Sequence, residues 1–189
     1  KTTLARVLAG LIRPNHGRVI WHTTDRRPRV GFLQQNALHQ LVCDSVEAEV
    51  YFGPRNFGIA DREKIEAIVS RMALTDLRHR PTRTLSVGQR QRTAIAAALA
   101  VTPKVLILDE PIVGQDQGHL IQMMNFISRF NQGGQAVLLI THDQDLAEHY
   151  ANTIWTITAG KTSVVRRANQ PQEWLAAPSL QPSVQRAAE

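Results

Sequence analysis

The chain has 189 residues, of which 43% are hydrophobic, and a formal net charge of +6 at pH 7. That length is enough for one well-packed domain and too short for two ordinary ones. No run approaches the ~18 consecutive apolar residues that span a bilayer, so any membrane role has to be exerted from outside the bilayer or through a partner. The single cysteine, Cys43, excludes an internal disulfide framework and fits a reducing cytosol.

The basic residues form small clusters, such as Arg78–Arg80 and Arg90–Arg92, and no long basic tract. On charge alone, the partner of such clusters is a nucleic acid, an anionic membrane surface or only solvent, and solvent is the commonest case. Charge therefore does not decide between these classes of function.

Apolar spacing and breaker residues predict helices that alternate with strands. In chain order they are a helix over Thr2–Ile12, short β-type runs at Arg18–Trp21 and Arg29–Leu33, a helix over Ser45–Phe52, a helix over Arg62–Ala73, an Ala-rich helix ending near Val101, a strand at Val105–Leu108, a helix over Gly118–Phe130, a strand at Ala136–Ile140, a helix over Asp143–Tyr150, and a hairpin of Thr153–Thr158 with Lys161–Val165.

Two local signals refine these boundaries. Gly53-Pro54 is expected to end the second helix, and Asp61 to cap the third. The chain opens at Lys1, without a methionine, in what reads as a helix already under way, so we expect it to be truncated.

Fully apolar strands that alternate with helices indicate an α/β fold with a parallel sheet covered on both faces. In such sheets, ligands bind outside the carboxyl ends of the strands. Asp109 and Glu110 follow one apolar strand, and His142 follows another. We therefore expect these three side chains at one edge of the sheet.

Lys1 and Thr2, ahead of an amphipathic helix, match what remains of G-x-x-x-x-G-K-[ST] when it is cut before its lysine. In a complete loop, backbone N–H groups hold the phosphates, the lysine reaches the β- and γ-phosphates, and the threonine hydroxyl binds Mg²⁺. An initial Lys-Thr alone carries little weight, because any cleaved chain could begin so.

The acidic pair is more informative. A buried strand that ends in Asp109-Glu110 can place the first carboxylate on Mg²⁺ and the second on the water that attacks a γ-phosphate. The alternative is an ordinary acidic turn before Pro111.

The strongest single signal is the octet LSVGQRQR at Leu85–Arg92. Ser86 and Gly88 at a helix start offer a hydroxyl and free backbone N–H groups to an anion. The alternative is an ordinary helix cap at Ser86 without a ligand.

The octet resembles the signature motif L-S-G-G-Q-[KR]-Q-R of ATP-binding-cassette (ABC) ATPases. Further motifs follow in the family's order. The resemblance implies that Gln35 is the Q-loop glutamine, which senses Mg²⁺ and touches a membrane partner. It also implies that Asp109 and Glu110 are the Walker B aspartate and the catalytic glutamate. Asp116 would be the D-loop aspartate that faces the opposite subunit, and His142 the switch histidine that contacts the γ-phosphate.

The implied fold is a P-loop NTPase of the ABC type, with a RecA-like parallel sheet and a helical subdomain at about residues 36–100. The ABC domain would cover residues 1–165, without its first strands and most of the P-loop, and residues 166–189 would be a tail. Two such domains would bind Mg-ATP head to tail. The residues of one site would be Lys1, Thr2, Thr3, Gln35, Asp109, Glu110 and His142. Of these, Thr2, Gln35 and Asp109 would bind the metal. The site of the partner subunit would be completed by Ser86, Gly88, Gln89 and Asp116.

A finer resemblance covers residues 30–58, which are similar to ATPases of energy-coupling-factor importers. Those importers take up vitamins or transition-metal ions through membrane proteins. The resemblance implies a second ABC ATPase subunit, one or more integral membrane partners, a peripheral place on the cytoplasmic face of the membrane, and no nucleic acid. Departures from the family pattern are Val87 for the first signature glycine, Ala37 for a proline and Gln115 for a leucine.

Three alternatives compete with a transporter. Cassette ATPases that act on chromosomes place a long coiled coil between Q-loop and signature, whereas here 86 − 35 = 51 positions separate Gln35 from Ser86. A ribosome-associated cassette protein would carry a second cassette in the complete reading frame. If the P-loop is cut, the 189-residue piece by itself is expected neither to bind ATP tightly nor to hydrolyse it.

Overall fold

The structure, a computed structural model, describes residues 1–22, 27–112, 114 and 116–167, the last five of them by their backbone alone. Its helices are α1 (Thr2–Leu8), α2 (Val46–Phe57), α3 (Arg62–Arg71), α4 (Val87–Ala100), α5 (Gln117–Gln132) and α6 (Gln144–Tyr150), with short 3-10 helices at Ala37–His39, Thr75–Leu77 and Thr82–Thr84. Its strands are β1 (Val30–Leu33), β2 (Val105–Asp109), β3 (Ala136–Ile140), β4 (Thr153–Thr158) and β5 (Lys161–Arg167).

Three parallel strands form the central sheet in the order β1-β2-β3. All five residues of β2 are buried. Because side chains alternate along a strand, Leu106 and Leu108 pack in a large core with α2–α6, whereas Val105 and Ile107 pack with Ala5 of α1 on the opposite face. The predicted parallel sheet with both faces covered is confirmed, and so is the antiparallel hairpin of β4 and β5.

The β-type run at Arg18–Trp21 is not a strand, and that prediction was wrong. No described strand pairs with it, and a β-strand needs a partner strand for the hydrogen bonds of its backbone groups. The first helix also ends earlier than expected, at Leu8, and Gly10 turns with a φ of 74°. Leu11 beyond it is 58% exposed, so the apolar spacing there does not mark a buried face.

The helix α2 runs through Gly53-Pro54 and ends at Phe57, so the expected stop was also wrong. Gly53 is a packing residue, since a Cβ there would stand 2.4 Å from Cγ1 of Val101 after α4. The helix ends instead at Gly58, whose φ of 65° is the left-handed conformation that glycine adopts readily. The N–H of Ile59 then donates to the Pro54 carbonyl at 2.8 Å.

The range 36–100 holds α2, α3, α4 and the three 3-10 helices, and it contributes no strand to either sheet. The boundaries at residues 165 and 166 stay a prediction. β5 continues to Arg167, and the rest of the proposed tail lies outside the described residues.

Within the described part of the chain, no helix is long and apolar enough to cross a bilayer.

Candidate functional site

The acidic pair and the histidine meet at the carboxyl edge of the sheet, as expected from their positions after two apolar strands. Asp109 ends β2 and lies opposite Ile140, which ends β3. The backbone N–H of Glu110 continues the ladder by donating to the Ile140 carbonyl at 2.9 Å. Residues 109–110 and 141–142 therefore leave two neighbouring strands side by side.

Asp109 is 1% exposed, and its Oδ2 atom accepts no hydrogen bond from any described residue. A buried carboxylate oxygen without a donor is unfavourable unless a cation is bound to it. Mg²⁺ is normally held by one or two carboxylates together with substrate phosphates and water. The described residues contain no cluster of three or more His, Cys, Asp or Glu side chains that could hold a metal by themselves. The site thus fits Mg²⁺ that arrives with phosphate.

The Glu110 carboxylate faces the histidine. Its Oε2 lies 3.0 Å from Nδ1 of His142 and 3.5 Å from Oγ1 of Thr141. When the carboxylate is ionised it only accepts hydrogen bonds, and Nδ1 is then the donor of this contact. The side chain of Glu110 is 13% exposed and that of His142 is 78% exposed, which leaves the pair accessible from the sheet edge. Such a carboxylate can accept a proton from a bound water.

Lys1 reaches the same edge, because its Nζ donates to the backbone carbonyl of Thr141 at 3.1 Å. Thr2 is half-buried and Thr3 is exposed at the start of α1. In the described part of the chain, no hydrogen bond joins either threonine to Asp109. The structure thus brings Lys1, Asp109, Glu110 and His142 to one edge of the sheet, and Thr2 and Thr3 follow Lys1 at the start of α1.

Gln35 is exposed just beyond β1, whose last residue, Leu33, lies opposite Leu108. Its loop is held by Gln40, whose Oε1 accepts from the N–H of Gln34 at 3.0 Å and whose Nε2 donates to the Phe32 carbonyl. Gln35 itself forms no hydrogen bond with another described residue. Sequence reasoning missed Gln40, since nothing in the sequence marks the bond that spans the loop.

The signature octet forms the N-terminus of α4. The Ser86 hydroxyl accepts from the N–H of Gln89 at 3.2 Å, and the Gln89 side chain accepts from the N–H of Ser86 at 3.0 Å. This capping box is an ordinary helix cap, the alternative interpretation that the sequence left open for Ser86. Ser86 is nevertheless exposed, whereas Gly88 is buried. No hydrogen bond among described residues joins Ser86 or Gln89 to the group around Glu110.

Asp116 caps α5 by accepting from the N–H of His119 at 3.0 Å, and its second oxygen contacts the His119 ring. These bonds, the backbone one first, lower the pKa of Asp116 to about 2. Gly114, with a φ of 72°, packs against the start of α4, because a Cβ there would stand 2.8 Å from Cγ1 of Val87. Gln115 lies outside the described residues.

Two further residues at the site were missed by sequence reasoning. Thr141 contacts Glu110 and also accepts from the N–H of Asp143 at 3.0 Å. Gln91 is 1% exposed, and its Nε2 donates to the backbone carbonyl of Glu110 at 3.0 Å. A polar residue on the buried face of an Ala-rich helix was the available signal for Gln91.

Comparisons with known proteins identify the family of the chain. The family model for ABC transporter matches residues 1–113. The cobalt import ATP-binding protein CbiO of Rhodobacter capsulatus is 37% identical over 174 residues, which cover 85% of this chain and 62% of that protein. The energy-coupling factor transporter ATP-binding protein EcfA3 of Oenococcus oeni is 36% identical over 164 residues, which cover 84% of this chain and 57% of that protein.

The chain thus spans less than two thirds of these two relatives. A protein of Methanosarcina acetivorans that is named as an ABC transporter ATP-binding protein is 41% identical over 173 residues, which cover 85% of this chain and 28% of that protein.

Two solved structures are also similar. CbiO1 of Clostridium perfringens, part of the ABC transporter complex CbiONQ, has a TM-score of 0.72 at 28% identity, over 88% of this chain and 72% of that chain. The ATP-binding subunit of another ABC transporter has a TM-score of 0.79 over 88% of this chain and 73% of that chain; at 17% identity, it supports the fold alone. The expected similarity to energy-coupling-factor ATPases is confirmed, and the chain belongs to the ABC transporter family.

Proposed function

We propose that this chain is the ATP-binding and ATP-hydrolysing part of an ABC transporter. The observation that carries the proposal is the contact of Glu110 with His142, beside a buried Asp109 oxygen that has no donor. The two carboxylates have separate surroundings. The Asp109 oxygen would bind a cation, whereas Glu110 contacts a histidine nitrogen and a threonine hydroxyl.

In this proposal, Glu110 accepts the proton of the water that attacks the γ-phosphate. His142 orients the carboxylate through Nδ1, and Nε2 on the exposed edge of the ring can donate to the phosphate when the ring carries both protons. Lys1, whose Nζ already lies at this edge, moves from the Thr141 carbonyl to the phosphates. Asp109, Thr2 and Gln35 are the residues that would hold Mg²⁺, which neutralises phosphate charge when bound.

The direct test is Glu110→Gln in the complete gene product with its transport partners. We expect turnover to be abolished and ATP binding to be retained, because the amide keeps the shape but cannot take the proton. Glu63→Gln is the matched control, since Glu63 is exposed on α3 and makes no contact with the site. Near-normal hydrolysis by Glu110→Gln would rule out this carboxylate as the base.

We also propose that Ser86, Gly88, Gln89 and Asp116 complete the site of a second ATPase subunit. Support comes from the exposure of Ser86 at the start of α4, with no bond to this chain's own Glu110. Ser86→Asp tests the proposal, because aspartate caps helices as well as serine but repels phosphate. We expect unchanged thermal stability and loss of ATP-driven pairing of subunits. Pairing at wild-type ATP concentrations would contradict this role.

The membrane partner is proposed to dock beside the loop of Gln35 and α2. Large apolar side chains are exposed there, with Leu38 48%, Val42 70% and Phe52 49% accessible. Phe52→Ser should weaken co-purification with the membrane subunit, while Phe57→Ser, equally apolar and 62% exposed elsewhere on α2, should not. Equal effects of both changes would contradict a localised docking face.

The finer proposal is an energy-coupling-factor type importer of a vitamin or a transition-metal ion, at the cytoplasmic face of the membrane. It is supported by the two relatives named for cobalt import and for an energy-coupling factor. Neighbouring reading frames for a multi-helix scaffold and a small substrate-binding membrane protein would support it. A second cassette in the same reading frame without membrane partners would instead favour the ribosome-associated class.

A further inference from the structure

The side chain of Gln91 is buried in the middle of α4, a position where a polar group needs a partner. It is 1% exposed, and buried neighbours on its helix include Ala94, Ile95 and Ala98. Its Nε2 donates at 3.0 Å to the backbone carbonyl of Glu110, which lies 19 positions away in sequence. Burying an amide without a partner is unfavourable, so this bond fixes where Glu110 lies relative to α4.

Glu110 has an unusual backbone. Its φ is 51°, in the left-handed region that residues other than glycine seldom adopt. Such a conformation persists only where the surroundings determine it. Here the N–H of Glu110 is bonded to the Ile140 carbonyl at 2.9 Å, and its carbonyl is bonded to Gln91. The peptide groups on both sides of its Cα are thus anchored by different elements, β3 and α4.

The consequence of this conformation is the direction of the side chain. With the backbone held as it is, Oε2 of Glu110 lies 3.0 Å from Nδ1 of His142. If the carbonyl were released, the residue could relax toward an ordinary negative φ, and the carboxylate would turn with its Cα. A displacement of about 1 Å is enough to reduce catalysis by roughly a hundredfold when a reacting group is misplaced.

We propose that Gln91 is a positioning residue for ATP hydrolysis, which holds the backbone of Glu110 so that its carboxylate faces the attacking water. The proposal rests on the role of Glu110 as the base. Gln91 stands on the same helix as Ser86, so the base is tied directly to the helix that presents the signature motif. Gln91 itself does not touch the substrate.

Two variants in the complete gene product test this role. Gln91→Met keeps the length of the side chain and removes the donor, and we expect kcat to fall about tenfold or more with KM for ATP within about twofold. Gln91→Glu can donate only when its carboxyl is protonated. Its kcat relative to wild type should therefore rise as the pH is lowered from 8 to 6, while that of Gln91→Met should stay level.

Thr93→Val is the matched control. Thr93 is fully buried on the same helix, and its hydroxyl donates to the Gln89 carbonyl at 2.8 Å, so the change also removes one buried hydrogen bond from α4. We expect it to lower the melting temperature by an amount similar to Gln91→Met and to leave kcat near wild type. If the two variants lose the same fraction of kcat, the effect of Gln91 is general destabilisation and the proposal is overturned.

Other outcomes are equally decisive. Wild-type kcat in Gln91→Met, or a flat pH ratio in Gln91→Glu, overturns the positioning role. If Gln91→Met fails to fold, the pH ratio of Gln91→Glu decides alone. Glu110→Gln, measured in parallel, distinguishes a failure of the base assignment of Glu110 from a failure of the positioning role of Gln91. Should it remain active, the base assignment itself fails; should it be inactive while Gln91→Met is normal, only the role of Gln91 fails.

Discussion

Removing the ring of His142 should slow hydrolysis without destabilising the fold. The ring is 78% exposed and its recorded partner is Oε2 of Glu110, 3.0 Å from Nδ1. A hydrogen bond to a charged group contributes about 1.5–3 kcal/mol. At about 1.4 kcal/mol per tenfold, this corresponds to a loss of roughly 10- to 150-fold in kcat. Exposure favours the lower half of that range, because water competes for the carboxylate.

The matched variant is His142→Asn, whose Nδ2 can stand near the place of the histidine Nδ1. We expect it to be faster than His142→Ala, which loses about tenfold or more, because the amide can keep the bond to Glu110 although it lacks the ring edge proposed for the phosphate. Both should unfold within about 0.5 kcal/mol of wild type, as is usual for exposed positions. Steady-state ATPase assays and urea midpoints give these quantities. An alanine variant with wild-type kcat, or an asparagine variant as slow as alanine, would refute the reasoning.

Three further changes probe the scaffold of the site. Ile107→Ala, in the fully buried centre of β2, should lower the free energy of unfolding by about 2–5 kcal/mol in urea titrations, and a loss under 1 kcal/mol would contradict the packing. Gly114→Ala should reduce ATPase activity, because the φ of Gly114 is 72° and a Cβ there would stand 2.8 Å from Val87. Adding Val87→Gly to this variant should restore part of the activity, since it removes the close contact but leaves the backbone strain. Asp116, whose pKa is lowered to about 2 by its bonds to His119, should stabilise the fold fully above its unfolded pKa near 3.8 and lose that stabilisation as the pH falls toward 2. Asp116→Asn keeps the cap without the charge, so a wild-type acid dependence in its urea midpoints would contradict this assignment.

The alternation of apolar segments predicted most of the elements, since the period of burial is local. β3 has the predicted bounds, and β2 is longer by one residue, Asp109. Where the prediction failed, the cause was a contact with a distant element or the lack of a pairing strand. Gly53 reads as a stop, but in the fold it lets α2 approach Val101 closely. Arg18–Trp21 reads as a strand, but no described strand pairs with it.

For the site, the sequence alone determined which residues leave the carboxyl ends of the strands. Asp109, Glu110 and His142 were predicted at one edge from their positions after apolar strands, because parallel strands end on the same side. Their chemical roles came from the resemblance of the motifs and stay proposals.

Only the tertiary structure decided how those side chains are held. The missing donor at Asp109, the left-handed Glu110 and the bond from Gln91 all depend on which residues of α4, β2 and β3 meet. Gln91 and Glu110 are 19 positions apart, and Glu110 and His142 are 32 apart. Periodicity records whether a side chain faces the core, but it carries no information on the partner that the side chain meets there.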